Sequence, residues 1–313
     1  MQDILTCAMG LDIHRDVIVA CLAKGELGTD PEIEIRSFST LIPEMRKLRD
    51  WVLEAECRYV AMESTGIYWQ PIYEMLEPCF DGQISILVVN ARHMKNVPGR
   101  KTDMRDAQWI ATLLRAGLLK GSFIPDKTFR ELRHLTRYRK SIVRDITAQK
   151  NRIDKFLQSS GFRFTAFLAD AFGASGRNII RHLMEYGNIS REALDRCLKT
   201  QTRKRIDEIL IALNGSLSEH QRGFLRMIFG HLEALEQHRH TVEDAITKEI
   251  TKHEEALSLL CSIPGIDVTA AAAIIAEIGT DMSAFPDSQH ICSWAGLSPG
   301  NNESAGKRKS AHI

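Results

Sequence analysis

Apolar and polar positions follow two different patterns along the chain, and the pattern changes at Pro125. Before that point short apolar runs recur: LTCAMGLDI, VIVACLA, the alternating EIEIRSF, then RYVAMES and ISILVVN. Runs of this length, alternating where they are half exposed, predict β-strands. Segments with apolar residues at helical spacing precede the last two runs, at 45–53 and 68–76, and a further helix is predicted over 103–118. Residues 1–122 are therefore predicted to form an α/β domain.

This order of elements is that of an RNase H-like fold: three strands, then helix, strand, helix, strand and helix. The first three strands would form an antiparallel meander, because the connections between them are short. One half of an actin-like sugar kinase begins in the same way. The chain lacks the glycine-rich phosphate loops of that class, and no second half of the same kind follows. The RNase H-like interpretation is therefore favoured.

Beyond Pro125 the apolar positions keep helical phase over longer stretches. A basic stretch carries the apolar residues Phe129, Leu132, Val143, Ile146, Ile153 and Leu157. A second stretch starts at Leu225 and repeats apolar residues at steps of three and four, interrupted by Arg239. Such spacing is typical of a coiled-coil or bundle seam. We expect the two helices to pack as an antiparallel pair, so that residues 123–257 form a helical spacer or coiled coil and support a homo-oligomer.

The segment 258–313 is predicted to form a small α-helical C-terminal domain. Its stretch IPGIDVTAAAAIIAEIG resembles a helix-hairpin-helix, in which Pro264 and Gly265 form the hairpin and amides at the start of the next helix face a phosphate. An ordinary helical hairpin with a tight turn explains the same residues equally well.

Composition narrows the class of protein. The formal net charge is +1, so any nucleic-acid-binding surface must come from segregated charge. The seven cysteines are scattered, which excludes a zinc ribbon and disfavours a disulfide framework. The N-terminal residues lack the pattern of a signal peptide, and no apolar run approaches the roughly 20 residues of a membrane span. We therefore expect a cytoplasmic protein with no membrane partner.

Four carboxylates fall where such a fold would bring them together. Asp12 ends the first predicted strand, Glu63 ends the fourth, and Asp103 and Asp106 share a face of the helix after the fifth. Clustered carboxylates repel one another unless cations neutralise them, and oxygen ligands suit Mg²⁺ or Mn²⁺. A pair of such ions would support displacement at phosphorus. Each acid alone is more simply a loop or helix-start residue, His14 is more simply a loop residue than a ligand, and Asp16 is a rival to Asp12.

Basic residues are concentrated after the predicted catalytic domain. Arg130, Arg133, Arg137, Lys140 and Arg144 recur at steps of three and four, which predicts a stripe on one helix face that can follow DNA phosphates. A solvated helix face is the simpler explanation for about half of them. Lys95 and Lys101, ahead of Asp103, are further candidates for phosphate contact.

Six segments resemble the DEDD transposases of bacterial insertion sequences of the IS110 family. They are GLDIH, MESTGIYW, VVNARHMK, GRKTDMRDA, PGIDVTAAAAIIAEIG and WAGLSPGNNESAGKRKS, in this order. The resemblance implies a RuvC-like domain of the RNase H-like fold, a coiled coil and a C-terminal transposase domain. It assigns Asp12, Glu63, Asp103 and Asp106 to the metal-binding positions and Ser304 to a serine nucleophile. It also implies DNA as substrate and a structured guide RNA encoded by the element.

The resemblance departs from the family pattern at the C-terminus. Family members continue beyond the serine with a basic helical segment, whereas this chain ends at Ile313, so we expect an incomplete C-terminal domain. Ser304 lies in a polar loop beside Lys307, Arg308 and Lys309, cations that could hold a scissile phosphate. Ser310 is a rival nucleophile in the same tail. Two alternatives stay open: a Holliday-junction resolvase-like metal-dependent nuclease, and an inactive, truncated transposase that binds nucleic acid.

Overall fold

The computed structural model describes residues 3–64, 66–90 and 106–297, together with the backbone of 303–304 and 307–308. The chain divides into two compact units, Met1–Ile124 and Pro125–Ile313. The first is α/β and the second is helical throughout most of its length, so the predicted α/β N-terminal part followed by helices is confirmed. The finer division at residues 257 and 258 stays a prediction.

The first unit is built on a mixed five-stranded sheet with the strand order β3-β2-β1-β4-β5. β1 pairs antiparallel with β2 and parallel with β4; β2 pairs antiparallel with β3, and β4 pairs parallel with β5. Short connections produce the meander, and the two parallel pairs follow from the helices in the later connections. The elements are β1 Cys7–Ile13, β2 Val17–Lys24, β3 Glu32–Ser39, α1 Ile42–Glu54, β4 Tyr59–Glu63, α2 Gln70–Leu76, a 3₁₀ turn Cys79–Gly82, β5 Ser85–Val89 and α3 Asp106–Arg115.

The two faces of this sheet are covered differently. One face carries the larger apolar side chains of the strands, such as Met9, Leu11 and Met62, and packs with α1 and α2 residues such as Leu48 and Ile72. The opposite face carries small residues and lies under α3. Its buried side chains are Ala8, Ala61 and Val89 with Ile110 and Leu114, and Cys21 and Ala23 with Ala107 and Ala111. Small side chains on this face allow α3 to approach the strands closely.

The second unit is organised around two long helices, α4 Lys127–Ser159 and, further along the chain, α9 Glu219–Ile250. Between them lie a 3₁₀ turn Phe164–Phe167, α5 Ala174–Tyr186, α6 Arg191–Cys197, α7 Thr200–Arg203 and α8 Ile206–Ala212; beyond them lie a 3₁₀ turn Thr251–His253, α10 Glu254–Cys261, α11 Val268–Ile278, a 3₁₀ turn Met282–Ala284, α12 Ser288–Trp294, β6 Glu303–Ser304 and β7 Lys307–Arg308. Among the residues described, no helix combines the length and apolar character needed to cross a bilayer.

The two long helices run antiparallel. Arg139 pairs with Glu243, and near the other end the rings of Phe156 and Phe224 are 5.0 Å apart. The predicted apolar phase was correct except at one position: Ile142 is buried, whereas Val143 is 37% exposed. The antiparallel packing agrees with the prediction, but supercoiling and self-association stay predictions.

A polar contact lies inside this helix pair. The amide of Gln149, which is 1% exposed, donates to the backbone carbonyl of Ile228 at 2.6 Å and accepts from Arg152. A buried amide is stable only where its hydrogen bonds are made. Sliding α4 along α9 would break this contact, so Gln149 specifies the register of the pair.

Candidate active site

Asp12 and Glu63 end two neighbouring strands at the same edge of the sheet. β1 and β4 are parallel, and Leu11 stands opposite Met62. The next position along the register therefore brings Asp12 beside Glu63. Both residues are partly buried, and the Asp12 side chain is 16% exposed. The predicted convergence of these two acids follows from this pairing of β1 with β4.

Gly10 brings helix α3 onto the same face as Asp12. Residues two apart in a strand point to the same side of a sheet. A Cβ atom on Gly10 would lie 2.2 Å from the carbonyl oxygen of Ala107 and 2.4 Å from the amide nitrogen of Ala111. Only glycine permits this contact between strand and helix backbone. Asp106, which directly precedes Ala107, is thereby held near Asp12.

The far end of α3 is held by Arg115. Its side chain is 1% exposed and pairs with Asp3 at 2.9 Å. The guanidinium also donates to the carbonyl oxygens of Leu5 and Glu26, at 3.0 and 2.8 Å. A buried guanidinium needs such partners because its desolvation is costly. Contacts at Gly10 and Arg115 together fix the helix against the sheet.

Electrostatics set Asp12 apart from ordinary surface acids. Burial raises the pKa of Asp12 above its usual range, and the carboxylates of Asp106 and Glu63 raise it further. His14 acts in the opposite direction, with its Nε2 3.2 Å from Oδ2 of Asp12. The shift shows that three of the four predicted acids share one electrostatic neighbourhood. Asp103 lies outside the described residues.

Asp16, the alternative to Asp12 in the sequence, differs from it in exposure. Asp16 is 85% exposed on the β1–β2 hairpin, next to Arg15, and so belongs to the surface rather than to the cluster. His14, interpreted from sequence as a loop residue, does lie in a loop and also contacts Asp12. Neither Gly10 nor Arg115 was among the residues predicted for the site. A glycine inside an apolar strand is the signal that could have indicated the first of them.

The donor set fits a hard divalent cation in its chemistry. Carboxylate oxygens are the ligands that Mg²⁺ and Mn²⁺ prefer, and a cation would offset both the burial and the neighbouring carboxylates that raise the pKa of Asp12. Within ranges 3–64, 66–90 and 106–297, no three or more His, Cys, Asp or Glu side chains stand close enough together to hold a metal ion. The described acids are thus neighbours without forming a closed ligand cage.

The basic stripe on α4 divides into two parts. Arg130 is 8% exposed and donates to the carbonyl of Pro125 at 3.0 Å. Arg133 donates to the Glu277 carbonyl at 2.7 Å and pairs with its carboxylate, and Arg137 makes two bonds to the same carboxylate, at 2.8 and 2.9 Å. Arg133 and Arg137 thus join α4 to α11, and Arg130 binds the residue just before α4. The expectation that all five residues line a phosphate track does not fit these contacts.

The other two members of the stripe are exposed. Lys140 and Arg144 lie one turn apart on α4, and Arg144 donates to the Ser141 hydroxyl at 3.1 Å. Sequence periodicity could not separate these residues from their neighbours, because the partner of Arg133 and Arg137 lies 140 residues or more further along the chain. Lys95 and Lys101 lie outside the described residues.

The segment around Ser304 forms a short hairpin at the level of the backbone. Glu303–Ser304 pairs antiparallel with Lys307–Arg308, so that Ser304 stands opposite Lys307 and Glu303 opposite Arg308. The polar loop expected around Ser304 therefore contains two short paired strands in these four residues. Lys309 and Ser310 lie outside the described residues.

Comparisons with known proteins match both ends of the chain. Residues 9–161 match a family model described as "Transposase", of the DEDD type of IS110, and residues 257–313 match one described as "Transposase IS116/IS110/IS902 family". The "Insertion element IS110 uncharacterized 43.6 kDa protein" of Streptomyces coelicolor is 28% identical over 222 residues, which are 64% of this chain and 53% of that protein. The chain therefore spans about half the length of this curated relative.

Proposed function

The chain belongs to the IS110 family of transposases, and from this premise we propose that it cleaves and rejoins DNA at the ends of an insertion sequence. The observation that carries the proposal is the acid cluster. Glu63 lies on the strand beside Asp12, and Asp106 begins the helix packed over the same face. Burial raises the pKa of Asp12, and the carboxylates of Asp106 and Glu63 raise it further. Carboxyl groups with pKa values perturbed in this way are concentrated at functional sites.

The first unit is proposed to be a catalytic domain of the RNase H-like, RuvC-like type. The strand order β3-β2-β1-β4-β5, with its antiparallel meander and two parallel pairs, supports this assignment. So does α3, which crosses the face that carries Asp12. Asp103 is included in the catalytic set because it lies one helical turn before Asp106 in the sequence.

Asp12, Glu63, Asp103 and Asp106 would hold divalent cations, for which we propose Mg²⁺ or Mn²⁺. Bound there, the ions would supply charge stabilisation for the oxygens that attack and leave phosphorus. The protein's own contribution is positioning: Gly10 lets α3 bring Asp106 to the sheet, and His14 orients one carboxylate oxygen of Asp12.

Ser304 is proposed as the nucleophile. Its hydroxyl oxygen would form a bond to the scissile phosphorus while the bond from phosphorus to the departing DNA oxygen breaks, and that oxygen takes up a proton. A serine needs a base or an electropositive setting to react, and Lys307, Arg308 and Lys309 would supply positive charge close in sequence. The DNA–serine linkage retains the energy of the phosphodiester, so rejoining needs no ATP.

DNA is the proposed substrate, and a structured RNA encoded by the element is the proposed guide. Lys140 and Arg144, exposed on α4, are candidates for contact with backbone phosphates. The antiparallel pair of α4 and α9 is the proposed site of self-association.

The test is a cleavage assay on a labelled duplex carrying the element's ends, with RNA transcribed from the element's non-coding flank. The wild type should cut in Mg²⁺ but not in EDTA, and Asp12→Asn should fall to the EDTA background. Asp16→Asn is the matched control, because it removes the same charge from the exposed hairpin four residues further on. Cleavage by Asp12→Asn at the wild-type rate would overturn the acid-cluster assignment.

A further inference from the structure

Two cysteines meet on the face of the sheet opposite to α3. Cys7 begins β1, and Cys57 lies just before β4, which pairs in parallel with β1. Cys57 is fully buried and Cys7 half-buried, and both belong to the apolar core that includes Met9 and Val60. The two thiols are close enough for each to shift the pKa of the other.

The backbone around this pair is held in place from both sides. Lys24 stands opposite Cys7 in the pairing of β1 with β2, and its ammonium group donates to the carbonyl of Ala55 at 3.3 Å. The Cys57 thiol also contacts the carbonyl of Tyr59, at 3.3 Å. Neighbouring strands lie about 4.8 Å apart, which is within the Cα separations that disulfides span. Cys7 and the residues that lead into β4 are therefore neighbours across the sheet.

The two thiols are not equivalent. The neighbouring Cys57 thiol lowers the pKa of Cys7, burial opposes that shift, and the charge of Lys24 lowers the pKa further. The interaction with Cys7, together with burial, raises the pKa of Cys57. Cys7 is also the more accessible of the two. Reactivity of a thiol follows its thiolate character and its exposure, so Cys7 is the first to react.

We propose that Cys7 and Cys57 form a dithiol that hydroperoxides oxidise to an intramolecular disulfide. The Cys7 thiolate attacks the terminal oxygen of the hydroperoxide, the O–O bond breaks, and the other oxygen leaves after protonation as an alcohol, or as water when the oxidant is hydrogen peroxide. Cys57 then attacks the sulfenic sulfur of Cys7; the S–S bond forms, the S–O bond breaks, and the hydroxyl leaves as water with the Cys57 proton. The peroxide is reduced by two electrons and the two thiols are oxidised.

The disulfide would link β1 to the start of β4, the two strands that end in Asp12 and Glu63. It would constrain the unfolded chain between residues 7 and 57, so the oxidised protein should melt at a higher temperature than the reduced protein. The proposal assigns the pair a redox chemistry separate from the DNA-cleaving site, and it stands or falls independently of that site.

Peroxide treatment of the full chain, followed by unfolding, alkylation with N-ethylmaleimide and mass spectrometry of peptides, tests the proposal. The reduced protein should take up label at all seven cysteines. The oxidised protein should lack label at Cys7 and Cys57 alone, with their two peptides joined and lighter by two hydrogen atoms. Dithiothreitol should restore both labels.

Three variants sharpen the test. Cys57→Ser should stop at sulfenic or sulfinic acid on Cys7, and Cys7→Ser should leave Cys57 labelled. Cys79→Ser, which removes a buried thiol elsewhere in the same unit, should still form the linked peptides. Full labelling of the wild type after peroxide, or linkage of Cys7 to a cysteine other than Cys57, would overturn the proposal, and neither result depends on the variants folding.

Discussion

At the scale of single residues, the candidate site depends on Gly10, which has no side chain, and on the carboxylate of Asp12. Gly10 lets the backbone of α3 touch β1, and Asp12, two residues further along the same face, is thereby brought close to Asp106. The strand pairing supplies Glu63 independently of this contact. The acid cluster thus depends on the close contact between the backbones of α3 and β1 as much as on the acidic residues.

Gly10→Ala should destabilise the first unit and reduce cleavage. The added Cβ would meet backbone atoms at 2.2 and 2.4 Å, and backbone cannot rotate away as a side chain can. We expect a loss of about 1–3 kcal/mol in the free energy of unfolding, as for other overpacked sites. Denaturant unfolding measures this. Gly230→Ala on α9, where a Cβ meets nothing within 4 Å, is the control and should be neutral or stabilising. Equal stability of wild type and Gly10→Ala would show that α3 moves freely.

Asp12→Asn should change how stability depends on pH. Because the pKa of Asp12 is raised in the folded state, mainly by burial, the folded protein holds this proton more tightly than the unfolded chain does. Wild-type stability therefore falls as pH rises from the ordinary value of 3.8 through the raised pKa. Asn carries no such charge, so the variant should gain stability over the wild type across this window and keep the gain at neutral pH.

Denaturant midpoints measured without divalent cations across this range would reveal the trend, with Asp16→Asn expected to follow the wild type. A gain that shrank as pH rose would contradict the raised pKa of Asp12. Added Mg²⁺ should stabilise the wild type more than Asp12→Asn, because the variant loses a ligand.

At the scale of elements, helix α4 shows that basic residues at one helical spacing can have different contacts. Arg133 and Arg137 lie on the same stripe as Lys140 and Arg144, yet they bind Glu277 at the end of α11. Burial of Arg133 lowers the pKa of its guanidinium, while Glu277 opposes that shift. One end of the stripe therefore joins two helices and the other faces solvent.

Glu277→Gln should loosen the packing of α11 on α4. It weakens the charge-assisted bonds to both arginines and leaves the partly buried Arg133 without its counter-charge. The expected loss is about 1.5–3 kcal/mol, the range for hydrogen bonds to charged groups. Glu208→Gln, which breaks an exposed pair with Arg205, is the matched control and should leave the unfolding free energy essentially unchanged. Urea titration compares the two.

Lys140→Ala combined with Arg144→Ala should weaken binding to nucleic acid of any sequence. If each contacts a phosphate, the slope of log affinity against log salt should fall by about 0.7–0.9 for each. Lys248→Ala with Lys252→Ala removes the same charge from α9 and the turn that follows it, and should keep the wild-type slope. Fluorescence anisotropy over a series of salt concentrations distinguishes them. An unchanged slope in the α4 variant would identify the stripe as a solvated face.

At the scale of the whole molecule, the proposed chemistry draws on both compact units. The acids belong to Met1–Ile124, whereas Ser304 belongs to Pro125–Ile313. Each unit has its own apolar core, one between the sheet and α1 and α2, the other around α4 and α9. A substitution at Ser304 can therefore remove the proposed nucleophile without disturbing the acid cluster.

Ser304→Ala should bind DNA and RNA like the wild type but form no covalent adduct. With labelled DNA, the wild type should give a slow-migrating, protease-sensitive band on a denaturing gel. Ser310→Ala, six residues further on, is the control and should keep the adduct. Cleavage by Ser304→Ala that yields free 5′-phosphate ends, with no adduct from the wild type, would favour hydrolysis by the acids alone.

The sequence by itself determined the type and order of the elements and the family. Short apolar runs, one of them alternating, specified the strands of the first unit. Apolar residues at helical spacing specified α4 and α9, because this period depends only on local backbone geometry. Asp12 and Glu63 could be chosen in advance, since each ends a strand and adjacent parallel strands end together.

Only the tertiary structure decided which residues of a pattern share the same surroundings. It separated Asp12 from Asp16, placed Arg133 in packing rather than on a free surface, and brought Cys57 near Cys7. Each outcome depends on a partner from a distant part of the chain or on burial by it. Periodicity along the sequence carries no information about which partner that is, so contact, desolvation and charge pairing emerge only when the chain is folded.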